Sequence, residues 1–189
     1  MVAENLPLPF LCVKNTPDQI SLLHLDDYFT KSEDAPKFRE MINWDHPDSI
    51  KWQELYNDLM SLLQNKSIKI LTKSELYNPE FEYSQKNKKE VVIESRPLII
   101  LEGYLALHDQ KIRDLMSTKI YLDIPIKEST KRRSANKFQI DTVYLQEVLI
   151  PMHDKFVVTT KEYANLIIDV TTTNQSQMLQ LVESKLGLE

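Results

Sequence analysis

The chain has 189 residues, enough for one domain with a full hydrophobic core. Its 42% hydrophobic content is ordinary for a globular protein, and its net charge of −5 argues against nucleic acid or an anionic membrane as a partner, since both attract clustered basic residues. Only two glycines occur, at positions 103 and 187, which excludes functions that depend on a glycine-rich loop.

The first predicted element is a short buried strand, PFLCV at residues 9–13. It contains Cys12, the only cysteine, which fits a buried strand position better than the role of a nucleophile. One cysteine cannot form an internal disulfide, and the sequence shows neither a signal peptide nor a membrane-spanning apolar run. We therefore expect the protein in a reducing cytoplasm.

Strand and helix patterns alternate along the rest of the chain. Short runs rich in Ile, Leu and Val predict buried strands of a mainly parallel sheet. These runs are ISLLHL (20–25), PLIILE (97–102), KIYLDI (119–124) and NLIIDV (165–170). Apolar residues at helical spacing predict amphipathic helices over 52–62, 145–156 and 178–186. The alternation predicts a single layered α/β domain over residues 1–189 with right-handed crossovers.

Two segments interrupt this alternation. Residues 30–50 are polar and contain prolines, and residues 72–96 have the composition of a small hairpin or flap. Ligands of doubly wound sheets bind beyond the carboxyl ends of the strands. Because both segments leave from or return to that edge, both are candidate binding loops.

Acidic residues lie at the ends of three predicted strands. Asp26 and Asp27 follow ISLLHL. Glu102 ends PLIIL, and Asp123 ends KIYL. In a parallel sheet these ends share one edge, so the carboxylates are expected to converge there and to suit a magnesium ion and a general base. The alternative is that each carboxylate caps a helix start, which is the favoured interpretation for Asp123.

The motif NWDHPDSIKW at residues 43–52 adds a second group of candidates. Asp48 or Ser49 is predicted to cap the helix that follows. Asp45 and His46 are not needed for that cap, so they are available for a polar ligand such as a sugar diol. A lone histidine is more often a surface residue, and for His46 that alternative stays open.

The motif TKRRSANK at residues 130–137 places two arginines side by side, Arg132 and Arg133. A charge run of this kind is usually a solvated helix face. It also fits an arginine pair that folds over a phosphate during its transfer.

Taken in order, these motifs resemble the uridine kinase and phosphoribulokinase family of P-loop nucleoside kinases, which includes nicotinamide riboside kinases. LHLDDYF resembles the family's strand end of an Asp followed by aromatics, and NWDHPDSI its Asn-Phe-Asp-His-Pro-Asp segment. IILEGYLAL, KIYLDIPIKESTKRR and IPMHDKFVVTTKEYANLIIDV resemble its Glu-Gly strand, its lid helix and its C-terminal pattern. The resemblance covers residues 20–170 and implies a three-layer, P-loop-kinase-like α/β fold.

The resemblance also implies ATP-dependent phosphoryl transfer to a nucleoside 5′-hydroxyl, with ATP and Mg²⁺ as cofactors. Asp26 matches the catalytic base and a neighbour of Mg²⁺, Glu102 matches the carboxylate near Mg²⁺, and Asp27 is interpreted as structural. Asp45, with His46 beside it, matches the residue that binds the ribose hydroxyls. The remaining matches are aromatic residues near the substrate and arginines of a lid over 127–140 that neutralise phosphates: Tyr28, Tyr77, Arg132 and Arg133.

One part of the family's catalytic apparatus is absent from this sequence. The motif G-x-x-x-x-G-K-[ST], which cradles the phosphates, does not occur. The first predicted strand and the link to the second together comprise only PFLCVKNTPDQ, whereas a crossover including its helix needs at least about 10–12 residues. We therefore expect the first crossover to be missing or shortened. Catalysis should then be negligible, since losing one preorganised donor costs about 10²–10³ in rate.

Three explanations for this departure stay open. In the first, the chain is an inactive pseudokinase that binds a nucleoside or a protein partner. In the second, it comes from a truncated or mis-spliced gene model whose full version is a kinase. In the third, it binds ATP by another route. Without the crossover one sheet face would be uncovered, which makes a homodimer through that face a further expectation.

Overall fold

The computed structural model describes residues 19–74, 77–78, 88–135 and 141–188, without the side chains of 133–135. The predicted strand at 9–13 lies outside these residues. The strands are β1 (Ile20–His24), β2 (Lys37–Phe38), β3 (Met41–Ile42), β4 (Ile68–Thr72), β5 (Lys89–Ile93), β6 (Leu98–Glu102), β7 (Ile120–Asp123) and β8 (Leu166–Asp169). The main helices are α1 (Trp52–Leu63), α2 (Gln110–Leu115), α3 (Ile126–Ala135) and α4 (Gln175–Leu186).

The four predicted apolar runs in the described chain form strands, and these strands pair in parallel. β1 pairs with β6 so that Ile20 lies opposite Leu98 and His24 lies opposite Glu102. β7 pairs with β8 from Ile120 opposite Leu166. The antiparallel pair of β4 and β5 joins the two ends of the predicted hairpin or flap at 72–96, of which residues 75–76 and 79–87 lie outside the described residues.

Apolar side chains cover the β1–β6 pair on both faces, which accounts for the layered architecture. Adjacent residues of a strand point to opposite faces. Accordingly, Leu23 belongs to a cluster with residues of α1, and Leu22 belongs to a second cluster with residues of α4. The continuous apolar sequence of β1 is the result of this burial on two sides.

The helix predicted at 145–156 lies at the predicted position but is not a regular α-helix. A short α turn (Thr142–Tyr144) is followed by a π turn (Leu145–Leu149), an α turn (Ile150–Met152) and a second π turn (His153–Val157). Pro151 has no N–H to donate and its ring crowds the preceding turn, so a regular α-helical ladder is interrupted there. We call residues 142–163, which end in a 3₁₀ turn, the composite helix.

The predicted cap of α1 at Asp48 or Ser49 is wrong. Pro47–Ser49 forms a separate 3₁₀ turn, and α1 begins only at Trp52 after Lys51, which makes no side-chain cap. Ser49 is buried, and its hydroxyl donates to the Asn43 carbonyl oxygen at 2.6 Å. The serine therefore closes the loop on itself. Among the described helices, none has the length and apolar character to cross a membrane.

Candidate functional site

The carboxyl ends of β1 and β6 lie side by side, as the sequence predicted. His24, the last residue of β1, is in register with Glu102, the last residue of β6. The chain then turns through a 3₁₀ helix, Leu25–Tyr28, in which Leu25 and Tyr28 are buried and Asp26 and Asp27 stand between them. The turn therefore presents both aspartates at the edge of the sheet where β6 ends.

Asp26 lies next to a cation that sequence reasoning missed. Lys73 Nζ is 3.3 Å from Asp26 Oδ2, and the two side chains are 20% and 15% exposed. Burial acts to raise the pKa of Asp26, but neighbouring positive charges, Lys73 among them, outweigh it and hold the pKa below its ordinary value. Asp26 is therefore an ionised carboxylate at neutral pH.

Asp27 holds the turn in place. Its Oδ2 accepts from the Thr72 hydroxyl at 2.6 Å and its Oδ1 from the Lys73 backbone N–H at 3.1 Å. These bonds attach the turn after β1 to the end of β4, and they set Lys73 beside Asp26. Burial raises the pKa of Asp27, although both hydrogen bonds lower it. Its contacts are those of a structural residue.

Glu102 takes part in a chain of polar side chains. His24 Nδ1 is bonded to Glu102 Oε1, and His24 Nε2 is 2.6 Å from Ser74 Oγ. Glu102 is 8% exposed, and its other oxygen, Oε2, is buried with no hydrogen-bond partner among the described residues. No sequence motif marks His24 as a site residue, and the parallel register of β1 and β6 reveals it.

The unsatisfied oxygen of Glu102 fits a cation. A buried acceptor without a partner is costly, and Mg²⁺ commonly binds proteins through one or two carboxylates plus substrate phosphates. Glu102 Oε2 and the nearby turn carrying Asp26 would hold such an ion. The described residues contain no cluster of three or more His, Cys, Asp or Glu that would form a complete metal site. An ion here would therefore depend on oxygens supplied by a ligand.

The fit to the phosphates of ATP is poorer. A glycine-rich cradle is absent from the sequence, so we derive no step through the ATP phosphates. Arg132 donates to Glu128 at 3.3 Å and to the Val170 carbonyl oxygen at 3.4 Å. These partners lie in its own helix, α3, and directly after β8. Arg133 lies in α3, but its side chain is outside the description. The predicted phosphate role of both arginines remains a prediction.

Asp45 lies on the same cleft as Glu102. The cleft has a volume of about 460 Å³. Its lining includes the polar residues Asp45, Glu102 and Tyr104 and apolar residues of β6 and β7. Asp45 Oδ2 accepts from the Tyr144 hydroxyl at 2.6 Å. The adjacent Trp44 carbonyl oxygen accepts from the Tyr104 hydroxyl, also at 2.6 Å. Two tyrosines from distant parts of the chain thus fix this loop.

His46 has a structural role that the sequence did not predict. Its Nδ1 accepts from the Asp48 backbone N–H at 3.1 Å and so caps the 3₁₀ turn. Its ring also packs edge-to-face on Phe156 of the composite helix, with centroids 5.0 Å apart. His46 is not part of the α1 cap, as expected, but it caps the 3₁₀ turn that precedes α1. Its role in binding a sugar stays a prediction.

The two predicted aromatic contacts are placed differently. Tyr28 is only 4% exposed, and its hydroxyl donates to Asp58 Oδ2 at 2.8 Å. Burial, the Asp58 charge and this bond raise the pKa of Tyr28. Its contacts are those of a core residue, and its predicted contact with a substrate stays a prediction. Tyr77 is half-buried, and its hydroxyl accepts from the Leu22 backbone N–H at 3.2 Å, so its substrate role stays a prediction.

Asp123, the third strand-end acid, lies on the other pair of strands. Its Oδ2 accepts from Lys161 Nζ at 2.6 Å. The ion pair joins the end of β7 to the composite helix. Asp123 thus has a structural partner, although this partner is a lysine of another element and not the helix start expected from the sequence.

Comparison with known proteins agrees with this arrangement. The model of the phosphoribulokinase / uridine kinase family matches residues 11–177. A uridine kinase of Brevibacillus brevis is 31% identical over 180 residues, which are 90% of this chain and 80% of that protein. A uridine kinase of Staphylococcus aureus is 29% identical over 175 residues, covering 86% and 80%.

A solved structure shows the same fold. It is described as that of a possible uridine kinase from Bacillus stearothermophilus, and it superposes with a TM-score of 0.56 at 11% sequence identity, covering 84% of this chain and 77% of that one. The predicted P-loop-kinase-like α/β fold is confirmed. With a family model that spans most of its length, the chain belongs to the phosphoribulokinase and uridine kinase family.

Proposed function

We propose that the protein is a nucleoside kinase of the uridine type, which transfers a phosphoryl group from ATP to the 5′-hydroxyl of a nucleoside. The observation that carries this proposal is the placement of three acids. Asp26 and Glu102 lie at the paired ends of β1 and β6, and Asp45 lines the cleft that Glu102 also lines. Belonging to the family supports the same function.

Each acid has a role that its surroundings suit. Asp45 accepts hydrogen bonds from the ribose hydroxyls and so orients the sugar. Asp26, ionised at neutral pH, accepts the proton of the 5′-hydroxyl as the O–H bond breaks. Glu102 would hold Mg²⁺, which would neutralise part of the charge on the phosphoryl group that ATP donates.

The kinase proposal is tested by nucleoside monophosphate formation from uridine or cytidine with ATP and Mg²⁺. Asp26→Asn keeps the shape of the side chain and removes the base, so we expect a loss of at least about 10² in rate. Asp48→Asn is the control, because the Asp48 side chain is 80% exposed and has no assigned contact with the substrate. No ATP binding in calorimetry at millimolar nucleotide would refute the proposal.

A second function, nucleoside binding without transfer, is favoured by one observation. The sequence contains no glycine before position 103 and no phosphate-loop motif. A pseudokinase of this kind retains the acceptor half of the site and lacks the donor half. It would act through the nucleoside that it binds or through a protein partner.

The second function is tested by thermal stability in the absence of ATP. A nucleoside should raise the melting temperature, since a ligand that binds only the folded state stabilises it. Asp45→Ala should remove this shift. Asp48→Ala is the control, because its carboxylate is in the same loop and its side chain is 80% exposed. If no nucleoside stabilises the wild-type protein, both functions fail and a role in protein interaction is the better explanation.

A further inference from the structure

We infer that Tyr144 is a positioning residue for Asp45, and that it thereby sets a preference for a ribonucleoside over a deoxynucleoside. The inference rests on the proposed nucleoside function and concerns how the sugar is selected. It starts from the hydrogen bond between the Tyr144 hydroxyl and Asp45 Oδ2, which joins residues 99 positions apart in the chain at 2.6 Å.

The loop that carries Asp45 has little regular structure of its own. It follows β2 and β3, which are two residues long each, and it ends in the 3₁₀ turn before α1. Its position therefore depends on contacts with the rest of the protein. Three contacts join residues 39–46 to the composite helix. They are the Tyr144–Asp45 bond, the Arg39–Glu147 ion pair at 2.6 Å and the ring contact of His46 with Phe156.

The donor of this bond is itself held in place. Asp141 caps the first turn of the composite helix, with its side chain accepting from the backbone N–H groups of Val143 and Tyr144 at 2.8 and 3.0 Å. Burial, together with the charge and hydrogen bond of Asp45, raises the pKa of the Tyr144 phenol. The phenol therefore stays protonated at physiological pH and remains a donor.

The bond decides how the carboxylate faces the cleft. Both oxygens of a carboxylate accept hydrogen bonds, and a tyrosine hydroxyl has one hydrogen to give. With Oδ2 engaged by Tyr144, the rotation of the carboxylate is restricted, and Oδ1 accepts the hydrogen bond of the 2′-hydroxyl, the group that a deoxynucleoside lacks. A carboxylate that is free to rotate would have to be ordered on binding, which lowers affinity for the hydroxyl-bearing sugar.

The chain offers a control in Arg39, which forms an ion pair with Glu147 of the composite helix at 2.6 Å. Arg39→Gln removes another contact between this segment and the composite helix but leaves the Asp45 carboxylate with its own partner. Any effect that arises only from loosening the loop should appear in both variants.

The experiment compares dissociation constants for uridine and 2′-deoxyuridine by calorimetry. We expect the wild-type protein to prefer uridine by about tenfold or more, as for a hydrogen bond to a charged group. Tyr144→Phe should weaken uridine binding by about five- to tenfold, change 2′-deoxyuridine binding less than about twofold, and so remove most of the preference. Arg39→Gln should keep it. In an active enzyme the Tyr144→Phe change should appear in KM and not in kcat.

Tyr144→His supplies a second variant, because a neutral imidazole retains a ring and an N–H donor. It should keep more of the preference than Tyr144→Phe, and it remains informative if the phenylalanine variant does not fold. An unchanged ratio of the two dissociation constants in Tyr144→Phe, or tighter uridine binding, would overturn the inference while leaving the proposed function intact. A wild-type protein that binds neither nucleoside would overturn both.

Discussion

Gly103 shows, at the scale of a single residue, how closely the parts of the site approach each other. It follows Glu102 directly, and its φ of +150° is one that other residues rarely adopt. A Cβ atom placed on it would overlap Leu25 Cβ and lie 3.0 Å from Leu25 Cδ2. Leu25 is fully buried, so it has little room to move. The absence of a side chain at 103 lets the turn after β1 pack against the end of β6.

We expect Gly103→Ala to lower the free energy of unfolding by about 2–4 kcal/mol, the sum of overpacking and backbone strain. Gly187→Ala is the matched control in a chain with only two glycines. It also has a positive φ, of +67° at the C-terminus of α4, but a Cβ there would meet nothing within 4 Å. Its cost should be about 1 kcal/mol. Urea denaturation measures both, and equal costs would mean that the contact with Leu25 is not tight.

At the scale of elements, the strands were predictable because their apolar runs are buried on both faces. The exact end of β1 was not: Leu25 is as apolar as the strand, but it already belongs to the 3₁₀ turn and packs on Gly103. The π turns around Pro151 and the cap by His46 were also missed, since helical periodicity does not distinguish them.

The candidate site likewise has residues that the sequence predicts and residues that it does not. Asp26 and Glu102 were placed by a rule about strand ends, which depends on local sequence and the parallel sheet. The partners of the acids come from distant segments. His24 joins Glu102 by strand register, Lys73 joins Asp26 from the position after β4, and Tyr144 joins Asp45 from the composite helix. Such contacts depend on tertiary packing, which a single sequence pattern does not contain.

The first turn of the composite helix links the stability of an element to the site. Asp141→Ala removes the acceptor for two backbone N–H groups, and the loss of a cap costs about 1 kcal/mol. Because Tyr144 lies in that turn, we also expect uridine to bind more weakly. Asp141→Asn preserves an equivalent cap and should preserve both properties. Thermal unfolding and calorimetry provide the two measurements, and a stable Asp141→Ala variant with normal affinity would contradict this coupling.

On the scale of the whole molecule, the described parallel strands form two separate pairs, β1–β6 and β7–β8, and residues of β6 and β7 line the cleft. A single apolar cluster contains side chains from both pairs. It includes Ile20 and Leu22 of β1, Ile168 of β8, and Met178 and Val182 of α4. The C-terminal helix therefore packs across both pairs and holds together the two sides of the cleft.

This arrangement predicts that α4 is needed for the stability of the whole domain and not only for its own end of the chain. Met178 is 6% exposed and belongs to the shared cluster, so Met178→Ala should cost about 2–5 kcal/mol. Leu181 lies on the same helix but is 44% exposed, and Leu181→Ala should change stability by less than about 0.5 kcal/mol. Urea denaturation measures both costs. In native-state hydrogen exchange, Met178→Ala should lower the protection of backbone amides in β1 and β8 together, because residues of both strands belong to the cluster that contains Met178. Loss of protection in β8 alone would show that the two strand pairs are stabilised independently.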